Sequence, residues 1–284
     1  MKNPLGIYEK ALPKELGWPE RFKNARAAGY DFLELSIDET PERMARLDWP
    51  LAERLAFFKT AREEGLTVPS MCLSGHRKIP FGSADPATRT QAAEFMAKAI
   101  RFACDTGIRV IQLAGYDVYY EATTPDSRAR FVEGLAQALE MAARHQVMLA
   151  LEIMDTSFLN SISKYMALSR RLPSPWLGVY PDLGNLTAWG NDVAQELALG
   201  IAHIVGVHVK ESKPVAPGFP GAFRDVPFGQ GSVDFAGCFK TLHDLGYAGP
   251  FLVEMWTEKA ADPMQEIRLA RTWVLERLQQ GGYA

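Results

Sequence analysis

The chain has 284 residues, 47% of them hydrophobic, and a formal net charge of −3 at pH 7. This length is large for an ordinary domain but suits one (β/α)8 barrel, which takes roughly 250 residues. The nearly balanced charge gives no reason to expect a nucleic-acid partner, and no apolar run approaches the roughly 18 residues that cross a bilayer. The first residues lack the apolar stretch of a signal peptide, so we expect a cytoplasmic protein.

Strand-like apolar runs alternate along the chain with amphipathic helical segments. Alternation of eight strands with eight helices predicts an α/β fold, a single (β/α)8 TIM-barrel domain over residues 1–284. The predicted strands are Leu5–Tyr8, Phe32–Ile37, Val68–Leu73, Val110–Ala114, Leu149–Met154, Leu177–Asp182, Ile204–Val209 and Phe251–Met255. The predicted helices are Pro19–Ala28, Leu51–Glu64, Pro86–Thr106, Asp126–His145, Ile162–Arg171, Asp192–Gly200, Phe235–Leu245 and Pro263–Gln279.

Each of the last four predicted strands carries a polar residue able to bind a metal near its carboxyl end: Glu152, Asp182, His208 and Glu254. Successive members are 30, 26 and 46 residues apart, close to one strand–helix–strand repeat except where a long loop intervenes. Side chains alternate across a strand, and in each of these strands the opposite face is wholly apolar. The apolar face fits against the outer helices, so we expect all four side chains to point into the mouth of the barrel.

Three carboxylates and one imidazole in this arrangement predict one divalent metal site. A single inward-facing carboxylate would more often belong to a salt bridge, but three buried together cost on the order of several kcal/mol each without a cation. Lys210 is the only lysine or arginine that adjoins these strands near the four residues. Oxygen-rich coordination with one imidazole suits Zn²⁺, Mn²⁺, Co²⁺ or Mg²⁺, and ligand type alone does not separate these ions. We expect Zn²⁺ or Mn²⁺.

Seven motifs spread over essentially the whole chain resemble those of one enzyme family. They are Met71–Arg77 (MCLSGHR), Val110–Tyr120 (VIQLAGYDVYY), Leu151–Asp155 (LEIMD), Tyr180–Asn185 (YPDLGN), His208–Lys210 (HVK), Val226–Gly231 (VPFGQG) and Val253–Trp256 (VEMW). The family is that of the L-ribulose-5-phosphate 3-epimerases, or L-xylulose-5-phosphate 3-epimerases, of ascorbate and related pentose catabolism. The resemblance implies a xylose-isomerase-like barrel with Glu152, Asp182, His208 and Glu254 as metal ligands. It further implies that Glu152 and Glu254 act as acid and base on opposite faces of the sugar.

The implied reaction interconverts L-ribulose 5-phosphate and L-xylulose 5-phosphate. The hydrogen on C3 of a 2-ketose is acidic because the neighbouring carbonyl can accept the charge, and a metal chelated by O2 and O3 stabilises the enediolate. Inversion then needs a second acid on the other face. Candidate substrate-binding residues include cations in the loops after strands three and seven, where a phosphate would need them. Arg224 is one of them because it precedes the loop Val226–Gly231, which in related barrels carries a substrate-contacting arginine. The full set is Asn185, Arg224, His76, Arg77 and Lys210.

Other functions stay open at this point. An epimerase or isomerase of a non-phosphorylated ketose or keto-acid could use the same metal barrel, although the candidate phosphate cations favour a ketopentose phosphate. A DNA-repair endonuclease on a related barrel needs several more well-placed histidines than the five present here. A non-catalytic sugar-binding barrel would have no need of both glutamates. The sequence leaves open the metal, the exact pentulose and the oligomeric state, for which a homodimer is one option.

Overall fold

The computed structural model describes residues 3–283, in which eight parallel strands surround a central axis. The strands are β1 (Leu5–Tyr8), β2 (Phe32–Ser36), β3 (Ser70–Cys72), β4 (Val110–Ala114), β5 (Met148–Glu152), β6 (Leu177–Tyr180), β7 (Val207–Val209) and β8 (Phe251–Val253). Hydrogen-bonded ladders join them in the order β6-β5-β4-β3-β2-β1-β8-β7. Between β6 and β7 the circle is completed by two isolated parallel bridges, Val179–Ile204 and Asp182–His208. The predicted TIM barrel is confirmed.

Within residues 3–283, ten α-helices connect the strands. They are α1 (Trp18–Ala27), α2 (Pro41–Met44), α3 (Leu51–Glu63), α4 (Pro86–Thr106), α5 (Pro125–Arg144), α6 (Ile162–Ser169), α7 (Leu183–Ala188), α8 (Val193–Gly200), α9 (Phe235–Asp244) and α10 (Pro263–Gln280). Eight of them match the predicted helices within a few residues, whereas the short helices α2 and α7 were not predicted. None of the helices in the described part of the chain is long and apolar enough to cross a membrane.

Several strands end earlier than the sequence predicted. Ile37, Leu73 and Ile153 lie just beyond the ends of β2, β3 and β5, yet all three are fully buried. Hydrophobicity overestimates strand length here because the first residues of the loops also pack into the core. The predicted strand six likewise ran on through Asp182, which is the N-cap of α7 and accepts a hydrogen bond from the backbone N–H of Asn185 at 2.9 Å.

The main hydrophobic core lies between the barrel and its helices. Along β2, Leu33 and Leu35 belong to this outer core, so the alternation of a strand turns Glu34 to the interior of the barrel. Gln112 of β4, between the outer-core residues Ile111 and Leu113, is turned inward by the same alternation and is fully buried. The barrel interior near its carboxyl-terminal mouth is therefore lined in part by buried polar groups.

Candidate metal centre

The four predicted ligands converge where β5, β6, β7 and β8 end. One ligand atom from each of Glu152, Asp182, His208 and Glu254 lies within 4.8 Å of every other, and all four residues are buried. Glu152 is the last residue of β5 and His208 the middle residue of β7. The other two lie past their strands and are fixed by the backbone: Asp182 bridges to His208, and the N–H of Glu254 donates to the carbonyl of Val209 at 3.1 Å. The sequence prediction of a four-residue cluster is confirmed.

The imidazole of His208 lies at the centre of this cluster. Its Nδ1 is 2.9 Å from Oε1 of Glu152 and 3.3 Å from Oε2 of Glu254. Its Nε2 points the other way, 3.2 Å from Oε1 of Glu34. Burial alone would lower the pKa of His208, but Glu254 and Glu152 raise it well above its ordinary value. The negative field of the carboxylates thus favours positive charge at this position, whether a proton or a metal ion supplies it.

Lys210 supplies a second positive charge at the edge of the cluster. Its Nζ is 2.5 Å from Oδ2 of Asp182 and 3.3 Å from Oε2 of Glu254. Burial raises the pKa of Asp182 to about 7, although Lys210 opposes this shift. Burial would also raise the pKa of Glu254, but Lys210 and His208 hold it well below its usual range. Glu254 is therefore a carboxylate at neutral pH.

The residues of the cluster fit a divalent cation. Among residues 3–283, Oδ2 of Asp182 and Oε2 of Glu254 have ion-pair contacts but no hydrogen bond of good geometry. With Glu34 included, four buried acidic side chains face one lysine, Lys210, and an imidazole, His208, that is neutral when it binds a metal, so a dication would offset most of the negative charge that remains. Carboxylate oxygens with one imidazole nitrogen are ligands that Zn²⁺ and Mn²⁺ accept. The four predicted ligands would hold it.

Three buried polar residues next to the cluster, Glu34, Ser70 and Gln112, were not among the predicted site residues. Gln112 donates a hydrogen bond from Nε2 to Oε2 of Glu152. Ser70 donates from its hydroxyl to Oε2 of Glu34 at 2.6 Å. The sequence carried a signal for two of them, since Glu34 and Gln112 are lone polar residues between apolar neighbours in predicted strands. That signal was the one that identified the four ligands in the later strands.

Asn185 and Arg77, two of the predicted substrate-binding residues, lie in the helical segments that follow β6 and β3 at this end of the barrel. Asn185 is fully buried in the first turn of α7, and its Nδ2 donates to the carbonyl of Ile153 at 2.8 Å. The guanidinium of Arg77 lies over the rings of Tyr116 and Tyr119, 5.3 Å and 5.1 Å from their centroids. No carboxylate of residues 3–283 lies within ion-pair distance of Arg77. Its charge is therefore free to meet an anionic ligand.

His76 and Arg224 are held by other groups. The ring of His76 packs on Phe81 and Phe95 with centroid distances of 4.6 Å and 5.3 Å, and burial lowers its pKa to about 4. It is therefore neutral at pH 7. Arg224 is 53% exposed, lies 4.5 Å over the ring of Trp256, and pairs with Glu258 at 3.3 Å. The substrate-binding roles of these residues, and of Lys210, stay predictions.

A cavity of about 480 Å³ opens beside the cluster. Lys210 and Glu254 form part of its wall, together with Trp256 and the loop residues Pro227 and Phe228. Its volume lies within the range of small-molecule sites, roughly 300–1,000 Å³. Apolar walls that meet a charged end suit a small polar ligand with a carbon skeleton.

Comparison with known proteins places the chain in a family. It is 59% identical to SgbU of Escherichia coli K12 over 279 residues, which are 98% of either chain. It is 55% identical to the L-ribulose-5-phosphate 3-epimerase UlaE of Escherichia coli strain SE11, over 98% of this chain and 96% of UlaE. Residues 22–277 match the model of xylose isomerase-like TIM barrels. The chain belongs to the L-ribulose-5-phosphate 3-epimerase family.

Solved structures agree with this epimerase-family assignment at the level of the fold. The structure of an L-ribulose 3-epimerase matches with a TM-score of 0.81 at 21% identity, covering 99% of this chain and 96% of that one. A D-psicose 3-epimerase crystallised in the presence of D-fructose matches with a TM-score of 0.80 at 16% identity, covering 97% and 99%. The family resemblance seen in the sequence motifs is confirmed, and the barrel is shared with other sugar epimerases.

Proposed function

We propose that this epimerase-family protein interconverts L-ribulose 5-phosphate and L-xylulose 5-phosphate, with Glu152 and Glu254 as the two proton-transfer groups at C3. The observation that carries the proposal is the placement of these glutamates. They extend from β5 and β8, which are separated in the barrel by β6 and β7. Their carboxylates therefore approach a common space from two sides, as an inversion requires.

The surroundings of each glutamate suit proton transfer. Lys210 and His208 keep Glu254 ionised, so it can accept a proton from C3. Gln112 donates to one oxygen of Glu152, which fixes that carboxyl group and leaves its Oε1 on the side of His208. In the reverse direction the two glutamates exchange roles, since a base in one direction is an acid in the other.

A divalent cation completes the proposed site, with Zn²⁺ or Mn²⁺ favoured and Co²⁺ or Mg²⁺ as alternatives. Glu152, Asp182, His208 and Glu254 would hold it. The chemistry that such a cation would supply is polarisation of the ketose carbonyl and stabilisation of the negative charge that develops when C3 loses its proton. Asn185 fixes Asp182 for this purpose, because its backbone N–H donates to Oδ1 at 2.9 Å.

Arg77 is the residue that we propose for the substrate phosphate. A guanidinium presents several donors in a fixed geometry that matches a phosphate. The other predicted cations are less free, because Lys210 contacts Asp182 and Glu254 while Arg224 pairs with Glu258. We likewise propose a ketopentose phosphate as the substrate, a cytoplasmic location and a homodimer.

The phosphate requirement is tested with a coupled assay that compares L-ribulose 5-phosphate and free L-ribulose. We expect turnover of the phosphorylated sugar to be strongly favoured in kcat/KM. Replacement of Arg77→Met should raise KM for the phosphate ester and leave the small activity on the free sugar nearly unchanged. Equal kcat/KM for both sugars would instead support the alternative, an epimerase of non-phosphorylated ketoses.

We predict that Glu152→Gln and Glu254→Gln each lower turnover about 10³-fold or more, near the upper range for a lost general acid or base. With one epimer as substrate in deuterated water, the variant that keeps the proper base should still exchange the C3 hydrogen without inverting C3. With the other epimer, the opposite variant should do so. Glu140→Gln, an exposed change on α5, is the matched control.

Near wild-type epimerisation by both glutamine variants, with normal metal content, would contradict the two-glutamate mechanism. The proton would then have to be carried by another residue. Mass spectrometry of the recovered sugar measures the exchange, and metal analysis of each variant separates loss of metal from loss of proton transfer.

A further inference from the structure

Glu34 is a buried carboxylate that the proposed proton transfers do not use. It lies in the middle of β2 and is fully buried. Its Oε2 accepts a hydrogen bond from Ser70, and its Oε1 is 3.2 Å from Nε2 of His208. The β2–β3 register pairs Leu35 with Met71, so Glu34 and Ser70 lie side by side on neighbouring strands. A carboxylate is costly to bury, so this one calls for an explanation.

The two ring nitrogens of His208 have different surroundings. Nδ1 faces the ligand carboxylates, 2.9 Å from Glu152 and 3.3 Å from Glu254. Nε2 faces Glu34 alone among the described acidic residues. A metal binds the ring nitrogen that carries no proton, and the opposite N–H then needs an acceptor.

An ionised carboxylate can only accept hydrogen bonds. A carboxylate beside Nε2 therefore favours, for the neutral imidazole of His208, the form with its proton on Nε2, which leaves the lone pair on Nδ1. The hydroxyl of Ser70 donates to the second oxygen of Glu34 and so fixes the rotation of that carboxyl group. These contacts form a chain from β3 through β2 to the ligand on β7.

We propose that Glu34 is a positioning residue that holds His208 with Nε2 protonated and Nδ1 turned to the metal. The inference rests on the metal-dependent function proposed above. Glu34 is not one of the four proposed ligands and would act on the metal through His208. Its loss should therefore weaken metal binding before it affects any later step.

The test is the variant Glu34→Gln, which keeps the size of the side chain. Its neutral amide oxygen is a weaker acceptor for Nε2–H of His208 than the carboxylate, and its amide nitrogen can instead donate to Nε2, which would favour the proton on Nδ1, where the metal should bind. We expect the Kd for Zn²⁺, measured by competition with a chelator, to rise about 10–100-fold. Ser70→Ala is the matched control, because it removes the neighbouring hydrogen bond and leaves the Glu34–His208 contact in place. It should raise Kd less than Glu34→Gln does.

A second measurement needs no variant. In the Zn²⁺-loaded wild-type protein, ¹⁵N chemical shifts of the imidazole rings show which nitrogen of His208 carries the proton, and we expect Nε2. Zn²⁺ bound through Nε2 would overturn the proposal, as would a Glu34→Gln variant that binds Zn²⁺ as tightly as the wild type. Failure of the wild type to bind any divalent metal would instead refute the proposed function. Neither measurement depends on turnover.

Discussion

The charge of each ligand residue is set by its immediate neighbours. Lys210 contacts Asp182 and Glu254, whereas Glu152 receives a hydrogen bond from the neutral amide of Gln112. Two of the carboxylates are thus paired with a fixed cation and one is not. This asymmetry gives Glu152 and Glu254, the two glutamates proposed for proton transfer, different surroundings, a neutral amide for the first and a cation for the second.

We predict that Asp182→Asn and His208→Ala lose metal and activity together, because these two residues act mainly as ligands. Each change removes a direct metal contact, so bound metal should fall in proportion to turnover. Elemental analysis of the purified variants beside a kinetic assay makes the comparison. Full activity of the wild-type protein after exhaustive removal of its metal would be incompatible with this prediction.

His76 should make stability depend on pH. Burial lowers its pKa in the folded protein to about 4 from an ordinary value of 6.5. The unfolded chain therefore binds a proton below pH 6.5 that the folded protein excludes. The contribution of the neutral His76 ring to the free energy of unfolding is therefore complete above pH 6.5. It falls by up to about 3 kcal/mol as the pH falls towards 4.

The variant His76→Asn keeps a donor for the carbonyl of Ile79, to which Nδ1 of His76 lies within 3.1 Å, and has no titrating ring. Urea unfolding between pH 4 and 6.5 should show a flatter dependence on pH for this variant than for the wild type. Parallel curves for the two proteins would mean that His76 is accessible to protons in the folded state.

At the scale of elements, one buried carboxylate organises the loop before α9. Glu211, just after β7, accepts backbone hydrogen bonds from Gly229 at 3.0 Å, Ser212 at 3.1 Å and Val233 at 3.2 Å. It thereby ties the segment 229–233, next to the wall of the cavity, to the end of β7.

We predict that Glu211→Gln loosens this loop, because an amide nitrogen would face backbone donors where the carboxylate now accepts. The free energy of unfolding should fall by about 1–3 kcal/mol, the usual effect of buried donors left without acceptors. Limited proteolysis should cut the loop faster, and KM should rise more than kcat falls. Glu140→Gln serves again as the exposed control, and an unchanged cleavage rate in Glu211→Gln would speak against the role of Glu211.

Period-two alternation and glycine or proline boundaries were enough to predict the eight strands and most helices. The helix α7 was missed because Asp182 serves both as a strand-end residue and as the N-cap of a six-residue helix. The four ligands were predictable since each is a single polar residue on an inward face. Glu34 was missed although it has the same pattern, because its importance depends on contacts with Ser70 and His208 from distant segments. Long-range contacts of this kind have no local signal.

At the scale of the whole molecule, the outer core is one continuous cluster that extends from Leu5 to Tyr283. We therefore predict that residues 1–284 unfold as a single domain, in one cooperative transition. A metal bound at a concentration about 100 times its Kd should stabilise the folded protein by about 2.7 kcal/mol and raise Tm. Calorimetry with and without Zn²⁺ measures both quantities. Two separate transitions would contradict the single-domain prediction.

The position of Lys210 has a consequence for the order in which the protein is assembled. Its ammonium group already contacts two of the acidic ligands and offsets one of their negative charges from within the chain. Folding of the barrel then need not wait for an ion, unlike that of small domains whose core is the metal itself. If the cluster takes a metal as proposed, the polypeptide can fold first and bind the ion afterwards. In that order of assembly the proposed ion would be exchangeable, and the metal bound would depend on the metals present when the folded protein takes it up.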